Sequence, residues 1–236
     1  METRSIEIEG IGQVKITRRK GSSRISLRVK PDGSVLVCHP WFAGQKEVIG
    51  FVMQQTDWII AYQKKMIEKR VHYPVNTILN TKKHTIQIVK TEHGRLQAGS
   101  KGNSVIITIP VDAEEKSEQV QGFIKKVLAE VCRKEAKEIL PARTCELASQ
   151  FGFVYQKVFI KNLKSKWGSC SSNGNINLNL SLMLLPDHLI DYIILHELAH
   201  TREHNHGPGF WKLLNLITNN KAKEYDREIR KNHRII

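Results

Sequence analysis

The sequence lacks the features that mark a membrane protein or a disulfide-stabilised secreted protein. Its four cysteines form no C-x-x-C pair and fit neither a disulfide framework nor a zinc ribbon, so we expect free thiols. No apolar run approaches the ~18 residues that a membrane span needs. The first residues show no basic stretch followed by an apolar one, as a secretory signal would. We therefore expect a cytoplasmic protein with no membrane association.

Acidic residues are few relative to basic ones. The chain has 37 Lys and Arg against 23 Asp and Glu, which gives a formal charge of +14. Residues 1–110 hold 18 basic and 8 acidic residues, and residues 111–236 hold 19 and 15. The segment Lys15–Lys30 has seven basic residues and no acidic one, and part of it alternates as a strand with one basic face. Two interpretations stay open: a surface for an anionic substrate or nucleic acid, and a solvated face that protects a strand edge.

The order of the predicted elements indicates an α+β protein with two parts. Residues 1–110 form a basic, strand-rich N-terminal region, and residues 111–236 form a domain that carries the candidate site. Within this plan, two strand–helix units over residues 1–70 and 71–150 are possible. A chain of 236 residues is long enough to bury a core in each part.

Periodicity places the elements of these two units. Strands are predicted over Ile25–Val29, Val35–Cys38, Thr85–Val89 and Val105–Ile109, and helices from about Gly44 to Glu68 and from about Glu114 to Gln150. Pro31-Asp32-Gly33 predicts a turn, and Pro141 is a possible break in the second helix. Ser34–Leu36 resembles Ser104–Ile106 at an offset of 70 residues. A duplication and a chance similarity both explain that offset.

The C-terminal part predicts strand, polar loop, strand and helix. Val154–Lys161 and Ile176–Leu180 alternate as strands, and the segment Lys164–Gly174 between them is polar and rich in turn residues. A helix is expected from Asp187 to about Glu203.

The strongest signal in the sequence is His196-Glu197-Leu198-Ala199-His200. The i, i+4 spacing places the two imidazoles on one face of a helix, about one turn apart, where both can bind one metal ion. Glu197 can then reach a metal-bound water without being a ligand. The pattern predicts a metal site, and imidazole ligands favour zinc.

A catalytic zinc site needs three protein ligands and one open position, so a third ligand has to be found. His206 follows a segment that can end the helix and turn back. His204 stands at i+4 from His200 and fits only if the helix continues. Glu224 or Glu228, on a later helix, would supply a carboxylate. Spacing alone leaves these alternatives open.

Four motifs follow one another in the C-terminal part. They are KWGSCSS at Lys166–Ser172, GNINLN at Gly174–Asn179, HELAH at His196–His200, and NHG followed by FW at Asn205–Trp211. Their order and spacing resemble the YgjP-like family of zinc metallopeptidases, which is related to SprT-like proteins. The resemblance extends more loosely upstream and covers nearly the whole chain.

The resemblance implies a zincin-like C-terminal metallopeptidase domain with an HExxH active helix. It implies a Zn2+ cofactor bound by His196, His200 and His206. It also implies that Glu197 is the general base for a metal-activated water that attacks a peptide carbonyl. The substrate would then be a peptide or a protein.

Substrate contacts are predicted from the same analogy. In zincin-like folds the strand before the active helix borders the cleft, so Asn175–Leu180 is expected to bind an extended peptide through its backbone. The candidate substrate contacts are Asn175, Asn177, Asn179, Lys166 and Arg202. For the two cations, surface solubility is the alternative. Trp167, Phe210 and Trp211 are expected to pack behind the site.

Two other functions compete with the peptidase. One is a metal-dependent hydrolase of a phosphorylated small molecule such as a nucleoside triphosphate, which the charge favours. Phosphate hydrolysis usually employs oxygen-ligated Mg2+, however, and three histidines favour zinc. The other is a protease associated with nucleic acid through its basic N-terminal half, which depends on charge alone.

Overall fold

The structure is a computed structural model that describes residues 3–30, 32–68, 71–92, 94–232 and 236. The chain folds as two compact units, residues 1–70 and 71–236. The predicted boundary between residues 110 and 111 separates the basic region from the domain that carries the candidate site, and it stays a prediction. In the described ranges, the chain forms no helix that combines the length and the apolar character needed to cross a bilayer.

The first unit is a four-stranded sheet covered by two helices. Its elements are β1 (Thr3–Ile8), β2 (Gly12–Arg18), β3 (Ser26–Val29), β4 (Val35–His39), α1 (Gln45–Gln54) and α2 (Thr56–Glu68). The strand order is β1-β2-β4-β3, with β2 and β4 parallel and the outer pairs antiparallel. Alternate residues such as Val14, Ile16 and Val37 form one buried face, against which Val48 and Val52 of α1 pack.

These elements test two of the predictions made for this unit. The predicted hairpin strands are confirmed as β3 and β4, while Pro31 of the predicted turn lies outside the described residues. The helical stretch predicted from Gly44 to Glu68 is confirmed in extent, but it is divided into two helices at Gln55. The first helix ends at Gln54, because the N–H of Gln55 reaches the Val52 carbonyl and tightens the last turn.

The second unit begins with a sheet of the same topology. Its elements are β5 (Ile78–Asn80), β6 (Thr85–Thr91), β7 (Gln97–Lys101), β8 (Ser104–Pro110) and the long helix α3 (Glu118–Phe151). The order β5-β6-β8-β7 repeats the parallel central pair and the antiparallel outer pairs. The sequence similarity at an offset of 70 residues falls on β4 and β8, which hold the same place in their sheets.

The helix α3 passes through Pro141 without ending there, so the predicted break is absent. A proline inside a helix costs about 3 kcal/mol. Leu140, Leu147 and Ala148 are buried on either side of it, and this packing holds the helix together. The helix ends at Gly152, which takes the left-handed conformation with φ of 68°.

A buried carboxylate of α3 fixes the turn before β6. Glu135 is only 1% exposed. It accepts hydrogen bonds from Thr81 Oγ1 at 2.5 Å, from the N–H groups of Lys82 at 3.0 Å and Lys83 at 3.2 Å, and from His84 Nδ1 at 2.6 Å. One side chain therefore satisfies four donors of a single turn.

The rest of the second unit surrounds a central helix. Its elements are β9 (Val158–Lys161), β10 (Gly168–Cys170), β11 (Ile176–Asn179), a 3-10 turn (Leu180–Leu184), α4 (Asp187–Ala199), α5 (Pro208–Ile217) and α6 (Ala222–Asn232). The small sheet has the order β10-β11-β9. Most side chains of α4 are buried, since α3, α5, α6 and β10 all contact this helix. The mixed α+β class is as predicted.

Candidate metal centre and cleft

Three histidines converge where α4 ends. His196 and His200 lie one turn apart at the C-terminal end of α4, and the chain then turns so that His206 comes back towards them before α5. The Nε2 atom of His206 lies 3.0 Å from Nε2 of His196 and 3.2 Å from Nε2 of His200. Among the described residues, these three are the His, Cys, Asp and Glu side chains that can hold one metal ion together.

A phenylalanine in the first turn of α5 supports all three rings. Phe210 is fully buried, and its ring centroid lies 4.9 Å from that of His196, 4.6 Å from that of His200 and 4.7 Å from that of His206. The His200 ring stacks on it at an interplanar angle of 25°. The ring of Phe210 therefore fixes the directions of the donor nitrogens, as the prediction that it packs behind the site implies.

The two helical histidines favour the neutral form, in which an Nε2 lone pair is available. His200 Nδ1 donates to the Glu203 carbonyl at 2.9 Å, which leaves Nε2 unprotonated in the neutral ring. Burial lowers the pKa of His196 to about 3, and the charges of the other two histidines act in the same direction. Burial also lowers the pKa of His200.

Two of the three nitrogen separations are close to those in a tetrahedral metal site, and all three donor atoms lie within 4.8 Å of one another. Zinc–nitrogen bonds of ~2.0–2.1 Å place two ligand nitrogens about 3.3 Å apart. The observed separations of 3.0 and 3.2 Å are close to this value. Lone pairs of neutral imidazoles that face one another at this distance repel unless a cation or a shared proton lies between them.

Glu197 lies beside this triad and points towards β10. It is 5% exposed, and its carboxylate accepts a hydrogen bond from the backbone N–H of Cys170. Burial raises the pKa of Glu197 to about 8, while Lys166 and the Cys170 N–H act in the opposite direction. A carboxyl group with such a pKa exchanges a proton readily near neutral pH.

The space for Glu197 depends on a glycine in β10. A Cβ atom on Gly168 would lie 2.6 Å from Oε1 of Glu197 and 2.7 Å from its Cγ. Real carbon contacts are ~3.5–4.0 Å. Gly168 therefore allows the carboxylate to approach the strand.

A cleft of about 600 Å³ opens over the triad and Glu197. It is lined by β10 and the loop before it, by one face of α4 and by α6. Lys166 and Trp167 lie in this lining, and so does His204, which is outside the triad. The carboxylate alternative Glu228 instead accepts from His188 Nε2 at 3.2 Å.

The predicted asparagines and Arg202 do not line the cleft. Asn179 is fully buried and donates to the carbonyls of Leu163 and Lys166, at 2.7 and 2.9 Å. Arg202 lies over the Phe153 ring at 4.3 Å. A role for these residues in substrate binding stays a prediction.

The expectation that Asn175–Leu180 borders the cleft and pairs with a peptide is wrong. This segment contains β11, which is the central strand, so its backbone already bonds to β10 on one side and β9 on the other. The edge strand of this sheet that lines the cleft is β10.

Sequence reasoning missed the contribution of α6. Asp226 and Arg230 line the cleft, and the Arg230 guanidinium donates to Asp226 Oδ2 at 3.0 Å. Tyr192 of α4 also lines it, with a hydroxyl that is buried without a hydrogen-bond partner. The i, i+4 spacing of the ion pair is visible in the sequence, but nothing local places it at this cleft.

Comparison with known proteins gives one family and two structures. A family model described as "YgjP-like, metallopeptidase domain" matches residues 23–232. The zymogen of the Pyrococcus abyssi metallopeptidase abylysin is 27% identical and is similar over 40% of this chain and 96% of its own, with a TM-score of 0.36. The zymogen of Methanocaldococcus jannaschii jannalysin is also 27% identical. It is similar over 38% of this chain and 92% of its own, with a TM-score of 0.34. No curated protein matches the chain.

Proposed function

The chain belongs to the YgjP-like family of metallopeptidases, and we propose that it is a zinc-dependent peptidase in which His196, His200 and His206 hold the metal and Glu197 is the general base. The observation that carries the proposal is the convergence of three Nε2 atoms beside a buried carboxyl group. The Nε2 atom of His206 lies 3.0 Å from that of His196 and 3.2 Å from that of His200. This arrangement corresponds to a zincin-like site built on the HExxH helix α4. A cytoplasmic location stays a prediction from the cysteines.

The donor chemistry favours zinc over magnesium or calcium, which prefer oxygen ligands. When bound, zinc supplies Lewis acidity, which polarises a carbonyl and makes a water molecule more acidic. Glu197 would take a proton from the attacking water and return it to the leaving amine. The pKa of about 8 already includes the opposing effects of the Cys170 N–H and of Lys166, so the ionised carboxylate would need the further positive charge of a bound metal ion.

The edge strand β10 supports a peptide as substrate. Its outer edge has no strand neighbour among the described strands, and Gly168, Ser169 and Cys170 all line the cleft. An extended peptide can add to such an edge through main-chain hydrogen bonds, which place a scissile carbonyl near Glu197. The arrangement recognises a backbone rather than particular side chains.

The phosphorylated small molecule stays as the second candidate. Lys166 and Arg230 place two cations at the cleft, and this is the observation in its favour. Arg230 is already paired with Asp226, which reduces the charge available to a phosphate. A nucleic-acid partner has no support from the site.

The test uses Glu197→Gln, with Glu130→Gln as the control. Glu130 is an exposed residue of α3 whose Oε1 lies 3.5 Å from Arg133 Nε. We expect Glu197→Gln to retain one zinc per chain by elemental analysis and to lose casein hydrolysis, while the control matches the parent. Parallel assays with nucleoside triphosphates separate the two candidates. Undiminished casein hydrolysis by Glu197→Gln would show that the proposed base is wrong.

A further inference from the structure

The first unit contains a cavity of about 280 Å³ that the proposed function does not use. It lies between the sheet and the start of α1. Its floor is aliphatic and is formed by Ile6, Ile16, Ala43 and Val48. A cavity with such a floor accepts an apolar group of modest size.

Cationic and imidazole side chains form the rim of this cavity. Arg18 follows Val14 and Ile16 on the buried face of β2, and the register places it directly opposite His39 of β4. Arg4 comes from the neighbouring strand β1. No carboxylate is among the described residues that line the cavity. The rim therefore favours an anion.

The second sheet shows that the fold does not require a polar residue at the position of His39, whereas both sheets carry a cation at the position of Arg18. In that sheet the pair equivalent to Arg18 and His39 is Lys90 and Ile109. Ile109 is fully buried in the core. The first unit has His39 at this position and leaves an open cavity beside it, although the same topology accommodates an apolar residue there.

Arg18 keeps donors for a ligand. The Arg18 guanidinium donates to the Trp41 carbonyl, which orients it, and a guanidinium has five N–H donors in all. His39 Nδ1 donates to the Pro40 carbonyl at 2.9 Å, so Nε2 is an acceptor in the neutral ring and donates to an anion only in the imidazolium form. The helix α1 starts at the same cavity without a side-chain cap, and its first N–H groups add positive potential.

We propose that this cavity binds the C-terminal carboxylate of a polypeptide whose last residue is apolar. In such a chain end the carboxylate and the side chain are attached to one carbon, which matches a cationic rim that adjoins an aliphatic floor. A nucleobase fits less well, because the aliphatic floor offers no hydrogen bonds to its edges. The ammonium of a free amino acid would face Arg4 and Arg18, whereas a peptide carries a neutral amide there. The choice of a polypeptide rests on the proposed function, since a peptidase meets chain ends.

The experiment is calorimetric titration of the full chain with an N-acetylated pentapeptide ending in leucine and with its C-terminal amide. We expect the acid to bind at least ~10-fold more tightly than the amide, because charge-assisted bonds to arginine are lost in the amide. Arg18→Gln should weaken binding of the acid ~10-fold or more. Arg4→Gln provides a second variant on the rim. Arg28→Gln is the matched control, since Arg28 is an exposed arginine of β3 that does not line the cavity.

Three results would overturn the proposal: equal affinity for acid and amide, equal effects of Arg18→Gln and Arg28→Gln, and tighter binding of inorganic phosphate than of the acid. Far-UV circular dichroism checks that each variant is folded. The titration is repeated with Glu197→Gln, in which the peptide cannot be cleaved and binding should be unchanged. Binding without any peptidase activity in the parent would refute the proposed function only, and activity without binding would refute this proposal only.

Discussion

A single methyl group in β10 should separate metal binding from catalysis. Gly168 has no φ in the left-handed region, so alanine is compatible with its backbone. The added Cβ would nevertheless lie 2.6 Å from Oε1, 2.7 Å from Cγ and 2.8 Å from Cδ of Glu197. Carbon atoms in contact are ~3.5–4.0 Å apart, so the carboxyl group has to move by about 1 Å.

The expected cost follows from that displacement. A misplacement of about 1 Å in a catalytic group costs ~100-fold in rate. At ~1.36 kcal/mol per factor of ten, this corresponds to ~2.7 kcal/mol of transition-state stabilisation. The triad is supported by Phe210 and α4 rather than by Gly168, so metal affinity should stay within about twofold of the parent.

The assay compares kcat/KM on a casein-derived peptide with zinc content by elemental analysis. Gly99→Ala is the matched control, because Gly99 is also a strand glycine and a Cβ there has no atom within 4 Å. The control should match the parent in both measurements. Parental activity in Gly168→Ala would refute the reasoning, since it would mean that the position of the Glu197 carboxylate does not control the reaction.

Three further changes test the site and the fold. His206→Ala should lower zinc affinity, measured by chelator competition, by more than the ~10–100-fold lost when a residue that only supports a ligand is changed. Unchanged affinity would exclude His206 as a ligand. Glu135→Ala should lower the free energy of unfolding by about 3 kcal/mol in urea denaturation, because four donors lose their acceptor. The control Glu130→Ala should stay within ~0.5 kcal/mol of the parent, and equal denaturation midpoints for the two variants would contradict this prediction. Arg202→Ala should cost about 1 kcal/mol of stability through its contact with Phe153 and leave KM unchanged, so a raised KM would restore it as a substrate contact.

The sequence predicts well the part of the site that lies on a single helix. The spacing of His196 and His200 fixes their common face once a helix forms. The apolar residues Leu189, Ile190, Ile193 and Ile194 recur at the spacing of three and four that predicts that helix. His206 was one of several candidates by spacing, and the family resemblance favoured it. Its approach to the other two depends on the turn after α4 and on Phe210, which no periodicity describes.

The strand that borders the cleft shows why the rest was not predictable. Ile176–Asn179 alternates clearly and precedes α4, so the sequence predicts that this segment borders the cleft and binds a peptide. The three residues Gly168–Cys170 show no alternation, yet they form β10, the edge strand that lines the cleft. Which of two strands is outermost depends on pairing between distant segments, here β9 with β11, and single-strand patterns carry no information about a neighbour.

The basic segment Lys15–Lys30 illustrates the same limit. A count of charges treats it as one surface, but alternation within β2 separates its members. Arg18 shares the buried face with Ile16 and reaches the rim of the first unit's cavity, whereas Lys15 lies on the exposed face. Charge alone leaves two interpretations open, a surface for an anionic substrate or nucleic acid and a solvated face that protects a strand edge. Since the strand pleat divides these cations between two faces, the arrangement favours a small anion held by a few of them over a long polyanion that contacts all of them.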